Sequence, residues 1–337
     1  MVGIFLNIDE DDNSHSILNG NKGINSNKDI NESTTLSKKE TTREAESGLA
    51  VTIGEKEAEI KKKFGQPNRV DVSAYGYDWW IYNQNADSYF QLAMENGRVV
   101  SAYGIGDEVN ISPFKVGQPI DEIYSSVYVE PSVDIETDGG SYRFELSEED
   151  MNMRPIVKIG DIYAQLYLDK MTGTLSSVRF LNKETLLKQR PYELTYSGEL
   201  MKVDELSEAE WSQVEEGNER QIFDISNIMR KRFNVPALQW DEQTAEVAYL
   251  HSYDMSDSDY FSHVSKTQGD LEDRLEKGKV TYHSAGENIA AEYVDAIAVM
   301  EGWLNSKGHR DTLLNKEFTH LGVGVYEKYY TQNFIKP

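Results

Sequence analysis

An internal repeat constrains the fold of the N-terminal half of this chain more than any other feature. Ile53-Gly54 and Glu59-Ile60 return 63 residues later as Val116-Gly117 and Glu122-Ile123. Each copy begins with a turn and a short amphipathic helix, and continues with alternating apolar residues of the kind found in β-strands. The repeat therefore predicts two similar α+β modules within a β-rich region: about 51–112 and 113–190, inside 51–200.

The residues before this region lack the composition of a folded domain. Residues 9–48 are rich in Asn, Asp, Ser, Glu and Thr, so they bury too little apolar surface to offset the entropy lost on ordering. Residues 1–8 are apolar but far too short to span a bilayer. We predict a disordered polar tether over 1–50, with 1–8 as the remnant of a membrane anchor that extends upstream of Met1. An ordinary disordered start is the alternative.

Charge and cysteine content exclude several classes of protein. The net charge is −24 and no basic stripe offsets it, so nucleic acid is excluded as a partner. The chain has no Cys, which rules out disulfides, thiol catalysis and Cys-ligated zinc. Cations remain the natural small partners of such a field.

The C-terminal third has a clearer pattern of helices and strands. The acidic, polar segment 201–217 is predicted to be a linker before a domain at 218–337. Apolar side chains then recur at helical spacing from Ile222, whereas Leu321, Val323 and Val325 alternate as in a hairpin. Mixed helices and hairpin-linked strands predict the α+β class.

Five of the six histidines follow residue 250, and with Glu287 they form a polar constellation. Histidine and carboxylate are the ligands that Zn²⁺ takes when Cys is absent, and they also transfer protons. The H-E-x-x-H spacing of metalloproteases does not occur. From spacing alone, structural histidines with satisfied hydrogen bonds are the leading interpretation.

Four segments, in order, give the chain from about 218 to 337 a resemblance to the CAP superfamily. This superfamily, also called SCP, comprises the cysteine-rich secretory, antigen 5 and pathogenesis-related proteins, and the resemblance is to its Cys-free bacterial branch. The segments are Ala248–Met255 with Tyr260–His263, Ala285–Ala290, Gly302–Arg310, and Leu321–Val325 closed by Tyr330–Phe334. The repeat before them is similar to an N-terminal module that accompanies some bacterial CAP domains. The resemblance implies a three-layer α-β-α sandwich with a large cleft.

The resemblance also implies a metal site. In animal and plant members, two His and two Glu line the cleft and hold a divalent cation. Carried over, His263, Glu287 and His309 match three of these ligands. The second Glu is replaced by Asn305 and Ser306, so the expected site is three protein ligands with water, and Zn²⁺ is the expected metal. Four residues are expected to line the cleft or support the ligands: His251, Asn288, Asn305 and Ser306.

The leading functional hypothesis is a secreted bacterial protein of the cell envelope, extracellular and held by an N-terminal membrane anchor. It would bind a lipid, a peptide or a cell-wall component in the cleft with a divalent metal. Two alternatives stay open: a peptidase-like metal-dependent hydrolase, and a structural or adhesive protein with a vestigial cleft. No residue is assigned a catalytic role, because the missing second Glu leaves no evident general base. The N-terminal modules would be a spacer or would bind a protein partner.

Overall fold

The computed structural model describes residues 45–337 and the backbone of one short strand, β1 (Gly3–Leu6). Most of the predicted tether over 1–50, and most of the predicted anchor remnant at 1–8, lie outside the described residues. The last residues of the predicted tether are described, and there the expectation is wrong, because Leu49 and Ala50 are buried in the core of the N-terminal region. β1 pairs in parallel with the edge of the C-terminal sheet and places Leu6 opposite Glu287. None of the helices within the described residues is long and apolar enough to cross a membrane.

Helices and strands are mixed along the chain, which confirms the α+β class. The helices are α1 (Glu57–Phe64), α2 (Ile120–Ser126), α3 (Glu148–Met153), α4 (Lys183–Gln189), α5 (Glu208–Arg232), α6 (Glu242–Asp257), α7 (Leu271–Lys277), α8 (Ala296–Asn305) and α9 (Lys307–Leu313). The strands after β1 are β2 (Arg69–Val72), β3 (Asp78–Tyr82), β4 (Phe90–Glu95), β5 (Arg98–Gly104), β6 (Ser132–Thr137), β7 (Gly140–Glu145), β8 (Ile156–Ile159), β9 (Ile162–Asp169), β10 (Thr174–Leu181), β11 (Glu193–Gly198), β12 (Gln239–Trp240), β13 (Ser284–Ala291), β14 (His320–Tyr326) and β15 (Tyr329–Lys336).

The N-terminal region is built on one seven-stranded sheet with the order β2-β3-β4-β5-β10-β9-β8. β5 and β10 pair at its centre, where the strands of the two predicted modules meet. The amide of Gly54 donates to Val99 at 2.7 Å, and the amide of Gly117 donates to Leu175 at 2.8 Å. Both turns are therefore fastened in the same way to the hairpin that follows them. A separate small sheet, β11-β7-β6, belongs only to the second half of the region.

The C-terminal domain has the expected three layers. Its sheet has the order β1-β13-β15-β14-β12. Leu321, Val323 and Val325 on β14 pack with Ile222 of α5 and Trp303 of α8 in one core. The glycines between them face the backbone of α6, so α6 and α7 form the opposite layer. We call these two sides of the sheet the α5/α8 face and the α6/α7 face.

The N-terminal sheet and the C-terminal domain share that core. Trp79 of β3 and Tyr77, just before that strand, lie in the same buried cluster as Trp303 of α8. Asp169 at the end of β9 accepts two hydrogen bonds from Arg310 of α9, each of 3.0 Å. The N-terminal region is therefore packed against α5, α8 and α9 rather than held at a distance.

Three local expectations differ from the structure. Residues 208–217 of the predicted linker are the first turns of α5, which begins with a capping box at Ser207. Gly286 and the polar residues beside it are typical of a turn that leads into a further element, but this segment is the strand β13. Glycine is typical of the position just after a helix, so the helical pattern that runs from Ile297 to Leu304 predicts a helix end at Gly308. Gly308 instead lies inside α9, because Ser306 starts a new helix before it.

Candidate functional site

Glu287 lies at the centre of a buried polar cluster on the α6/α7 face. It is in the middle of β13 with no exposed surface. Ala285, two residues earlier and on the same side of the strand, packs with Leu271 and Leu275 of α7. Strand alternation thus points a carboxylate into an apolar layer, where an ionised group needs a partner. We call His251, His263, Arg274 and Glu287 the Glu287 cluster.

Arg274 supplies that partner from α7. Its Nη2 donates to Glu287 Oε2 at 2.5 Å, and its Nη1 donates to the carbonyl of His263 at 2.8 Å. Its side chain is only 4% exposed. The capping box of Asp270 and Asp273 fixes the start of α7, and so places the arginine four residues later. One guanidinium therefore neutralises the carboxylate and holds the loop that carries His263.

His263 occupies the other carboxylate oxygen. Its Nδ1 lies 2.9 Å from Glu287 Oε1. Because the carboxylate can only accept, Nδ1 carries the hydrogen, and a neutral His263 then presents Nε2 as an acceptor. The loop is braced by Asp254, which accepts hydrogen bonds from Ser265 at 2.6 Å and Thr267 at 3.0 Å.

His251 completes the cluster from α6. Its Nε2 lies 4.0 Å from Glu287 Oε1, which is too far for a hydrogen bond. The ring is fully buried, and neither of its nitrogens has a hydrogen-bond partner among the described residues. Its position follows from the close approach of α6 to the sheet, since the hydroxyl of the adjacent Ser252 donates to the Gly324 carbonyl at 2.9 Å.

The pKa values of the cluster describe a neutral histidine beside an ionised carboxylate. Burial lowers the pKa of His251 to about 4, although the nearby Glu287 opposes this. For Glu287, burial by itself raises the pKa, but the Arg274 charge and the His263 hydrogen bond outweigh it and lower the pKa to about 2. At neutral pH, His251 therefore offers one N–H donor and one acceptor to a ligand.

The other predicted site residues lie elsewhere. His309, on α9, has its Nδ1 2.7 Å from Ser306 Oγ, and its carbonyl accepts from Asn288 at 3.1 Å. Asn288 follows Glu287 on β13, so its side chain points to the α5/α8 face. Asn305 donates to the Leu168 carbonyl at 2.9 Å and accepts from the Lys170 amide at 3.0 Å. It therefore joins the two regions of the chain and does not line the Glu287 cluster.

The residues present do not fit the expected divalent metal. The described residues contain no group of three His, Cys, Asp or Glu side chains placed to hold a metal ion. Both oxygens of Glu287 are already engaged, one by His263 and one by Arg274. A guanidinium bonded to the carboxylate holds a positive charge where a metal would have to bind, so the two compete for one ligand.

Arg274 is the site residue that sequence reasoning missed. It lies in a short helix between two of the recognised segments, thirteen residues before Glu287. The available signal was an arginine beside the apolar positions Leu271 and Leu275, where an unpaired charge is rarely found. That signal predicts a buried partner for Arg274 but does not say which carboxylate it is.

Two family models match the chain. The model described as the CAP-associated N-terminal region matches residues 53–192. The model of the cysteine-rich secretory protein family matches residues 223–335. Together they cover both parts of the fold described above.

Several relatives are similar over most of the chain. A protein described as membrane protein YlbC of Bacillus subtilis is 52% identical over 290 residues, which are 86% of this chain and 84% of that protein. An extracellular protein containing an SCP domain from Bacillus anthracis is 43% identical, with a TM-score of 0.84, over 93% of this chain and 100% of that one. A cysteine-rich secretory protein from Staphylococcus aureus is 29% identical, with a TM-score of 0.79, over 88% and 95% of the two chains.

Proposed function

Because this chain belongs to the bacterial branch of the cysteine-rich secretory protein (CAP) family, we propose that it is an extracellular protein of the cell envelope that binds a peptide at the Glu287 cluster. The main support for this proposal is the state of His251. Its ring is fully buried, and neither ring nitrogen has a hydrogen-bond partner in the described part of the chain. A buried polar group without a partner costs about 1–3 kcal/mol. A ligand that bonds to it recovers that free energy on binding.

The surroundings of His263 indicate what kind of ligand fits. Phe261 and Val264, on the same loop, are 45% and 54% exposed. They offer apolar contact beside His263, which is the most exposed member of the cluster, with 11% of its side chain exposed. A ligand with a hydrogen-bonding backbone and an apolar side chain would use both features.

The edge of β13 favours a peptide over a lipid. Gly3–Leu6 pairs with Ser284–Glu287 as a parallel strand and ends opposite Glu287. An extended segment can therefore add to this edge through main-chain hydrogen bonds, which is how β-augmentation binds peptides. A lipid chain has no groups that would pair with the edge.

The descriptions of two relatives support the proposed location. One relative is described as an extracellular protein and another as a membrane protein. An extracellular protein anchored by an N-terminal segment agrees with both descriptions. Protease treatment of intact cells, with detection of residues 208–337, tests it: an extracellular domain is digested and a cytoplasmic one is protected.

Peptide binding is tested with the chain's own edge strand. A labelled octapeptide with the sequence of residues 1–8 is titrated into a variant that lacks those residues. We expect binding, weakened at least tenfold by His263→Ala and unchanged by His283→Ala, which alters an exposed histidine. Equal affinity in all three proteins, or no binding, contradicts the proposal. Binding to zwitterionic lipid vesicles without binding of the peptide would show that the ligand is a lipid and not a peptide.

A metal is not needed for this function. We expect calorimetric titration of Zn²⁺ to give the same heats for the full chain and for the His263→Ala, His309→Ala double variant. Saturable binding of Zn²⁺ by the full chain that is lost in the double variant would show that these histidines do bind a metal. Hydrolysis has little support, since the salt bridge to Arg274 makes Glu287 a weak base.

A further inference from the structure

A second cleft lies between α5 and α6, apart from the Glu287 cluster. Its volume is about 230 Å³, which is below the range for drug-sized ligands but leaves room for a single side chain. Glutamates of both helices line it: Glu215, Glu216 and Glu219 of α5, and Glu242 and Glu246 of α6. None of the described residues that line it is a Lys, Arg or His. We call this place the α5/α6 cleft.

Glu215 brings a nearly buried carboxylate to this cleft without a cation. The residue is 6% exposed, and its Oε1 accepts a hydrogen bond from the Glu327 amide at 2.9 Å. Among the described residues, no group donates to its Oε2, and the charge that acts on it is another acid, Glu327. Oε2 keeps some accessible surface, so a ligand in the cleft can reach it. An acid buried to this extent is normally paired, and here a ligand would supply the missing cation.

Glu219 lies one turn further along α5 and has the same surroundings. Its Oε1 accepts a hydrogen bond from the Val325 amide at 3.1 Å, and the charges that act on it are the carboxylates of Glu215, Glu216 and Glu242. Burial and these neighbours raise the pKa of Glu219 to about 7. A cation bound between Glu215 and Glu219 would lower that pKa and relieve the repulsion between the two acids.

Two aromatic rings lie beside Glu215 and Glu219. Trp240 is held in place by its Nε1, which donates to Glu242 Oε2 at 2.7 Å. Tyr249 lies close enough to the two acids for their charges to raise its pKa, in addition to the larger effect of burial. Both rings line the cleft and are partly exposed. Aromatic rings near carboxylates are suited to binding a guanidinium or ammonium group.

We propose that the α5/α6 cleft binds the side chain of an arginine from a partner polypeptide, with the guanidinium group at Glu215 and Glu219. The rings of Trp240 and Tyr249 would contact its planar face. A guanidinium has five donors in one plane, so it can bond to both carboxylates and stack on a ring at the same time. The strongly negative chain attracts such a partner from a distance. This site is independent of the peptide site proposed at the Glu287 cluster.

Other cations fit this cleft less well. A metal ion needs several ligands at short distances, and the described residues contain no group of three acids or histidines placed to hold one. A lysine ammonium is a compact and strongly hydrated charge that gains less from the rings. Free arginine would bring its α-carboxylate among the glutamates, where none of the described lining residues is a cation. An arginine within a polypeptide has no such carboxylate.

The test titrates the full chain with blocked pentapeptides at pH 7, measured by calorimetry. The first peptide has an arginine between two alanines on each side. The second replaces the arginine by citrulline, which has nearly the same shape without the charge, and the third replaces it by lysine, which has the same charge. We expect saturable binding of the arginine peptide, at least tenfold weaker binding of the citrulline peptide, and at least threefold weaker binding of the lysine peptide and of free arginine. Equal affinity for the arginine and lysine peptides would show only a general attraction to the negative chain, and would overturn the proposal.

Matched variants locate the binding. Glu215→Gln and Glu219→Gln keep the size of the side chain and an oxygen for the backbone amide that each residue accepts from. Each should weaken binding of the arginine peptide at least tenfold. Glu122→Gln removes the same charge from an exposed part of α2 outside the cleft, and should change nothing. No saturable binding of the arginine peptide, or binding that neither cleft variant alters, overturns the proposal.

Two further measurements connect the binding to this place. Because the bound guanidinium lowers the pKa of Glu219, binding at pH 7 should release protons, which appears as a dependence of the heat on the ionisation enthalpy of the buffer. Glu219→Gln should abolish that release. His263→Ala should leave binding of the arginine peptide unchanged, and loss of binding in that variant would assign the arginine to the Glu287 cluster and overturn the α5/α6 site.

Discussion

At the scale of single residues, the fold holds two glutamates in opposite states. Glu287 is buried beside Arg274 and has a pKa lowered to about 2. Glu219, on α5, lies among the carboxylates of Glu215, Glu216 and Glu242, and its burial and these neighbours raise its pKa to about 7. The same side chain is therefore charged in one place and half protonated in the other at neutral pH, because only one of them has a cation.

Glu219 predicts a loss of stability at high pH. Its pKa is raised above the value of 4.5 for the unfolded chain, so its contribution is complete below pH 4.5 and is lost as the pH rises through 7. Glu219→Gln should raise the free energy of unfolding by about 2 kcal/mol at pH 8 and change it little at pH 4.5. Urea unfolding at the two pH values measures this.

The control for Glu219 is Glu246→Gln, which alters an exposed carboxylate of the same acidic surface. It should give a much smaller change at both pH values. If the two variants behaved alike, general charge repulsion and not the burial of Glu219 would be the cause.

The Arg274–Glu287 pair predicts strong coupling. Arg274→Met leaves a buried carboxylate without its cation, so it should cost about 3–5 kcal/mol of unfolding free energy. Adding Glu287→Gln removes that charge and should restore part of the loss. A double-mutant cycle by urea unfolding measures the coupling free energy. Strictly additive changes in unfolding free energy would show that Arg274 and Glu287 do not stabilise one another.

Residue roles that act locally could be predicted, and those that act across the fold could not. Aspartate is a preferred N-cap residue, so the sequence predicts that Asp241 caps the helix after it, and its side chain accepts from the Thr244 amide at 2.8 Å, three residues along the chain. Asn305 was expected in the cleft because it stands near the position of a missing ligand. Its actual hydrogen-bond partners are Leu168 on β9 and Lys170 just after β9. These residues are about 135 positions away in the sequence, and no local spacing in the sequence predicts such a contact.

At the scale of elements, the packing of α6 on β14 sets the position of His251. A Cβ atom on Gly324 would lie 1.9 Å from the Tyr249 amide nitrogen, and one on Gly322 would lie 2.1 Å from that of Ala245. The two glycines therefore let a helix backbone lie directly on the strand. The alternating pattern around them predicted the strand, but it did not reveal that their absent side chains position the helix.

Gly324→Ala should disrupt this contact. Either α6 moves outward or β14 bends, and we expect a cost of about 3 kcal/mol in unfolding free energy together with weaker peptide binding at the Glu287 cluster. Gly139→Ala is the matched control, since its Cβ would meet nothing closer than 3.6 Å, and it should change stability by less than about 0.5 kcal/mol. Equal unfolding free energies of the two variants would show that β14 and α6 accommodate the added methyl group without a loss of stability.

β13 shows why one element was misassigned. Ala285-Gly286-Glu287-Asn288 contains a glycine and two polar residues, which is typical of a turn. In the structure the strand is buried on both faces, and it carries Glu287 toward one face and Asn288 toward the other. A strand buried on both sides need not alternate polar and apolar residues, so Glu287 and Asn288 were expected at a site but were not recognised as positions on a strand.

At the scale of the whole molecule, the two regions matched by separate family models fold against one another. Their boundary in sequence was expected at a polar linker, but that linker includes the start of α5, and α5 itself packs on the N-terminal sheet. Asp71 of β2, for example, accepts from Gln221 of α5 at 3.1 Å. The order of the domains could be predicted from the motifs. The shared core could not be predicted, because it depends on which face of the N-terminal sheet packs against the helices of the C-terminal domain.

The shared core predicts that the C-terminal domain is unstable alone. A fragment of residues 208–337 keeps α5 whole but loses Asp169, the partner of Arg310, and also loses Tyr77 and Trp79, which belong to the buried cluster that α5 and α8 share. A buried arginine that loses its carboxylate and an apolar surface that is opened to water both favour unfolding. We expect the fragment to unfold at a much lower urea concentration than a chain of residues 45–337, which is the matched control. A fragment that unfolds at the same concentration would show that the N-terminal region is a separate unit, and would return it to the role of a spacer.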